Sequence, residues 1–166
     1  MLEYCSMLVD THAHLMDAAY ADDLLAVLDR ATAADVSTIV CVGYDLASSR
    51  AAVGLASRHP GLFATVGVHP NYLAEAPPDW LRELRALAAM PRVVGIGEIG
   101  LDYYRTYTPG ALQREGFGAQ LALASELDLP VVIHCRDAED DLIRTLEGRP
   151  AIESSAGIWH ASGWRP

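Results

Sequence analysis

The chain has 166 residues, of which 51% are hydrophobic, with a formal net charge of -10 and a pI of about 4.8. That length and composition suit one globular domain with its own core and exclude intrinsic disorder. The acidity excludes a protein that grips nucleic acid by a broad basic surface, yet it leaves room for a nuclease, because bound cations invert the local charge at a site. Three scattered cysteines, Cys5, Cys41 and Cys135, make no disulfide framework and point to a reducing, cytoplasmic setting. The N-terminus carries Glu3 and lacks a basic stretch followed by an apolar one, so no signal peptide is expected. No apolar run approaches the roughly 20 residues of a membrane span. Residues 1–6 read as an N-terminal extension and residues 7–166 as the domain.

The first element is Met7–Leu15, an apolar run ending in His12-Ala13-His14. Side chains two apart on a strand share a face, so His12 and His14 should meet at one point at the strand end and could grip a divalent ion there. Tyr20–Ala34 follows with Leu24, Leu25, Val27, Leu28 and Ala31 at helical spacing. Ser37–Gly43 is a β-branched run that reads as a buried strand, and Ala47–His59 is an alanine-rich helix stopped by Pro60-Gly61. Phe63–Val68 is the third strand and runs into His69-Pro70, and Trp80–Ala89 is the next helix. Val93–Glu98 is the fourth strand, Gln113–Leu127 a helix, Val131–His134 the fifth strand, Asp140–Glu147 a helix and Gly157–His160 a sixth strand.

Strands alternate with helices, about one βα unit per 30 residues, which means a parallel sheet with helices outside it. In five of the six units a metal-type or catalytic-type residue stands at the C-terminal end of the strand: His12 and His14, His69, Glu98, His134, His160. A (β/α) barrel builds its active site from those positions, so a TIM-type barrel is expected rather than an open doubly wound sheet. Gly95-Ile96-Gly97-Glu98-Ile99-Gly100 resembles a dinucleotide fingerprint, but it lies in the strand and opens no helix. His59, before Pro60 at a helix end, reads as structural.

Four motifs, Val9-Asp10-Thr11-His12-Ala13-His14-Leu15, Val66-Gly67-Val68-His69-Pro70, Gly97-Glu98-Ile99-Gly100-Leu101-Asp102-Tyr103 and Pro130–Ala138, resemble the TatD family of metal-dependent deoxyribonucleases. Gln113-Arg114-Glu115, Phe117 and Gln120-Leu121 match the same family's helix, and the resemblance covers about residues 7–147. It implies a two-metal centre that cleaves phosphodiester bonds of DNA, with Glu98 as the catalytic carboxylate. His12 and His14 would hold the first ion, Glu98 would bridge, and His134 and His160 would hold the second. Mg²⁺, Mn²⁺ and Zn²⁺ all suit such nitrogen and oxygen ligands. His69 is implied to face the substrate phosphate.

Arg136 could take a phosphate oxygen or pair with Asp137 or Asp102. Tyr103 and Tyr104 could line the pocket or pack. Cys135 is expected to be buried and inert, and Asp10 to orient the histidines. Two other functions share these residues: an amide or ester hydrolase on the same barrel, acting on aminoacyl-tRNA or a small molecule, and an inactive fragment.

A full barrel of this kind has eight βα units, and about six are visible here. The family's final aspartate ligand has no counterpart, and the ending, His160–Pro166, departs from the family pattern. The expected structure is therefore an incomplete barrel with an unclosed sheet. Inward residues such as Ile39, Val66, Val94 and Val132 should then lose cover. Self-association through the open sheet edges is expected, with weak or absent catalysis.

Overall fold

A computed structural model describes residues 7–147 and, by its backbone, the strand 157–161. The N-terminal extension, the segment 148–156, the ending after residue 161 and the side chain of His160 lie outside the described residues. Six strands, β1 (Leu8–Ala13), β2 (Val36–Val42), β3 (Leu62–Val66), β4 (Val93–Asp102), β5 (Val131–Arg136) and β6 (Gly157–Ala161), form one sheet in sequence order. Every neighbouring pair is parallel. Five helices connect them: α1 (Leu24–Ala33), α2 (Leu46–Arg58), α3 (Trp80–Ala88), α4 (Gly110–Leu127) and α5 (Glu139–Glu147). The sheet curls into part of a barrel and does not close, so among the described residues β1 and β6 are its two edges. All strand C-termini share one face, which is where the expected site residues stand.

Helix ends follow local chemistry. Asp45 caps α2 by accepting the Ser48 N–H at 2.6 Å while the Ser48 hydroxyl accepts the Asp45 N–H at 2.9 Å, a reciprocal capping box. α1 begins at Leu24 rather than Tyr20, because Ala18–Tyr20 forms a separate 3-10 turn. β4 differs most from expectation: it continues four residues beyond Glu98, to Asp102. Its glycines admit the neighbouring strand. A Cβ on Gly97 would lie 2.5 Å from the Val132 Cβ, and one on Gly95 2.9 Å from the Pro130 carbonyl oxygen.

The core lies between the sheet and its helices. Phe117 and Leu121 of α4, Leu84 of α3 and Leu142 of α5 are fully buried against Leu62, Ile96, Ile99 and Leu101. Ile39, Val66 and Val132 are buried as well, contrary to the expectation that an unclosed sheet would uncover them; Val94 is half-buried. Ile39 and Val66 belong to the main core cluster, and Val132 fills the space that Gly97 leaves open. At the β1 edge Met7, Leu8 and Val9 are 74%, 52% and 55% exposed.

Gly100 is the tightest point of the sheet. Its φ is +144°, and a Cβ there would sit 1.9 Å from the His134 carbonyl oxygen. Gly100→Ala is expected to cost about 3 kcal/mol or more through backbone strain and overpacking. Urea melts of the parent and the variant measure it.

Candidate metal centre

Four strands deliver the site. β1 carries His12 and ends just before His14, and the two rings meet edge to face with centroids 5.0 Å apart, as their spacing of two predicts. His69 follows β3, Glu98 and Asp102 lie on β4, and His134 lies on β5. His69, Glu98, Asp102 and His134 are buried.

The ligand atoms of His12, His14 and Glu98 lie within 4.8 Å of one another, and so do those of His69, Asp102 and His134. Glu98 joins the two groups. Its Oε2 is 3.6 Å from His12 Nε2, and its Oε1 is 3.1 Å from His134 Nδ1. His134 in turn places Nε2 3.2 Å from Asp102 Oδ2.

Hydrogen bonds to fixed backbone groups assign two of the rings. The Val42 carbonyl can only accept, so His14 donates from Nδ1 to it at 2.8 Å and keeps an Nε2 lone pair for a ligand. The Asn71 N–H can only donate, so His69 accepts it at Nδ1, at 3.2 Å, and a neutral ring then carries its proton on Nε2. His14 thus leaves a lone pair toward the site and His69 a proton. His134 faces a carboxylate from each nitrogen, although a neutral imidazole has one proton to give. A cation shared between one nitrogen and its carboxylate removes that mismatch, so the donor set fits a metal.

Electrostatics agree with those assignments. Burial, with His134 adjacent, lowers the His69 pKa to about 4, so its ring is neutral near pH 7. Burial alone would raise the Glu98 carboxyl, but the approach of His12, the hydrogen bond to His134 and the nearby His69 outweigh it and hold Glu98 below the usual carboxylate range. Asp102 is likewise lowered, as the Arg105 N–H, the Asn71 amide and His134 outweigh its burial. Both carboxylates are therefore ionised, as metal ligation requires.

Two buried glutamines on α4 place the strand ends. Gln120 accepts the Val68 N–H at 2.8 Å and donates to the Val68 carbonyl at 3.0 Å. Gln113 accepts the Asp102 N–H at 2.8 Å and donates to the Asp102 carbonyl at 2.9 Å. Each side chain copies the pairing of a peptide group just where the sheet ladder stops, and so holds the backbone beside His69 and at Asp102.

Other expected residues fall elsewhere. The Tyr103 hydroxyl points to Asp141, at 2.6 Å, and Arg114, at 3.0 Å, rather than into the cleft. Arg136 stacks on Tyr104, its guanidinium 3.6 Å from the ring centroid, and pairs with neither Asp102 nor Asp137. Asp10 accepts the backbone N–H of His12 at 3.0 Å. The His160 side chain is outside the described residues, but its backbone stands in register beside His134. Asp102, read from the sequence only as an alternative partner of Arg136, and Asn71, not singled out there, both join the centre. Glu98 and Asp102 are four apart, so on one continuous strand they share a face, but that signal disappears once the strand is ended at Glu98. A cleft of about 710 Å³ opens over Glu98, His14 and His69, walled by Tyr44, Tyr72 and Tyr107.

This centre, at the C-terminal ends of a curled parallel sheet, is of the kind found in barrel metallohydrolases. The family model described as TatD related DNase matches residues 9–164, and the chain belongs to that family. The match continues past Glu147, where the motifs read from the sequence faded. The chain is 40% identical to the uncharacterized metal-dependent hydrolase YabD of Bacillus subtilis, across 93% of its own length and 60% of that protein. It is 39% identical to the 3'-5' ssDNA/RNA exonuclease TatD of Erwinia tasmaniensis, across 95% of its length and 61% of that protein. The crystal structure of the TatD homolog YJJV from Escherichia coli superposes with a TM-score of 0.81 at 30% identity, covering 87% of this chain and 56% of that one. The chain thus spans about three fifths of the length of these curated relatives.

Two outcomes check this geometry. Gln120→Ala leaves both Val68 backbone groups without their buried partner and is expected to cost about 2–5 kcal/mol in thermal or urea unfolding. Cys41 and Cys135 are buried, and burial pushes both thiols up to about 11. Both should escape iodoacetamide at about pH 8 in the folded protein and react after unfolding, as read by peptide mass spectrometry.

Proposed function

We propose that this chain carries a two-cation centre that hydrolyses phosphodiester bonds of DNA. The observation that supports it most is the placement of Glu98, one carboxylate oxygen toward His12 and the other toward His134. His12, His14 and Glu98 would hold one ion. Glu98 and His134, with His160 beside it in register and Asp102 behind, would hold the other. When bound, a pair of Mg²⁺, Mn²⁺ or Zn²⁺ ions supplies Lewis-acid polarisation of a phosphoryl oxygen and a hydroxide nucleophile near neutral pH.

The chain's own groups do the rest. His14 is oriented by the Val42 carbonyl, so its ring would need no rotamer search to hold a cation. Neutral His69 carries its proton on Nε2 at the cleft and is placed to hydrogen-bond a phosphate oxygen. Asn71 donates from Nδ2 to Asp102 Oδ2 at 3.0 Å, which holds that carboxylate against His134. The family's description as DNase-related supports DNA, and the ssDNA/RNA exonuclease names among the relatives support a single-stranded nucleic acid over a small-molecule phosphodiester.

Divalent metal retained after dialysis, measured by elemental analysis, should fall in Glu98→Gln. Hydrolysis of single-stranded DNA in that variant should drop at least about 100-fold. Asp102→Asn should lose about 10- to 100-fold in metal affinity or activity. Equal metal in parent and Glu98→Gln removes Glu98 from the bridge. Turnover of an ester panel without DNA cleavage moves the chain to the amide or ester hydrolase reading, and bound metal without any turnover moves it to the inactive one.

A further inference from the structure

We propose that the loop 103–109, between β4 and α4, is a stacking platform for the bases of a single-stranded nucleic acid. Tyr104 and Tyr107 present the stacking faces, and Arg105 and Arg136 back them. The proposal rests on the phosphodiesterase reading of the adjoining centre.

Tyr104 and Tyr107 are 56% and 65% exposed, among the most open large apolar residues of the described part of the chain. Both are engaged by guanidinium groups. Arg136 lies 3.6 Å from the Tyr104 centroid, while Arg105 lies 5.5 Å from Tyr104 and 5.8 Å from Tyr107. Arg105 Nη1 also donates to the Tyr107 hydroxyl at 3.4 Å. Neither arginine forms an ion pair with a carboxylate among the described residues, in a chain with nearly twice as many acidic as basic side chains. Their charge stays available to an anionic backbone while their planes organise the rings.

The loop is held firmly. The Arg105 N–H donates to Asp102 Oδ1 at 2.9 Å, Gln113 donates to the Thr108 carbonyl at 2.9 Å, and the Thr108 hydroxyl accepts the Ala74 N–H at 3.3 Å. It is also continuous with the centre: Asp102 joins Arg105 to His134, and Arg105 and Tyr107 share the cleft with Glu98, His14 and His69. Flat aromatic faces beside cations bind bases without reading their sequence. Exposed Tyr and Arg also mark protein interfaces, but Arg105 and Tyr107 line the cleft over Glu98 and Arg105 links them to Tyr104, which favours the strand that would enter it.

The test is fluorescence anisotropy with three phosphorothioate decamers in Mg²⁺: oligo-dT, oligo-rU and an abasic strand of equal charge. The base-bearing strands should bind at least about tenfold tighter than the abasic one. Tyr104→Ala and Tyr107→Ala should each weaken oligo-dT binding by about 5- to 150-fold, leave the abasic strand unchanged, and be rescued by Tyr→Phe. Oligo-rU behaving as oligo-dT extends the platform to RNA, and failure of oligo-rU alone confines it to DNA. The proposal is overturned if the abasic strand binds as tightly as oligo-dT, if no decamer binds, or if both alanine variants bind like the parent. Glu98→Gln separates the two readings: base-dependent binding should persist in it, so loss of hydrolysis alone touches the centre and not the platform.

Discussion

The buried carboxylate of Glu98 is the interaction on which the rest of the centre depends. Alone in a low-dielectric interior it would be driven to protonate. It stays ionised because His12 approaches one oxygen and His134 the other. Those histidines come from strands far apart in the chain, so the charge of one residue ties the first strand to the fifth through the fourth.

The delivery has two physical devices. Glycines in β4 remove side chains where β5 must come close, which lets His134 reach both Glu98 and Asp102. The glutamines of α4 take over where the strands stop pairing. A strand end at a functional face leaves peptide groups without ladder partners, and a buried amide is the side chain that replaces one at equal geometry. Gln113 and Gln120 are seven residues apart, two helical turns, so one helix face serves Asp102 and Val68 at once.

The histidines are not interchangeable, although all sit at strand ends. A carbonyl beside His14 and an amide N–H beside His69 select opposite tautomers. One ring is left with a lone pair facing the site and the other with a proton. This division of labour depends on which backbone group lies within hydrogen-bond reach, and not on the residue type.

The sequence by itself determined the alternation of strand and helix, the parallel sheet and the gathering of His12, His14, His69, Glu98 and His134 on one face. It did so because side-chain period and strand polarity are local properties, readable from neighbouring residues. Only the tertiary structure decided the extent of β4, since whether the strand goes on pairing past Glu98 depends on how closely β5 approaches Gly97 and Gly100. That extension is what brought Asp102 into the centre. Tertiary contacts likewise turned Tyr103 to Asp141 and laid Arg136 on Tyr104. Nor could local pattern show that an unclosed sheet buries Ile39, Val66 and Val132, because burial is set by curl and by helices contributed from distant parts of the chain. Spacing along the chain says which face a side chain takes; only packing between elements says what it meets there.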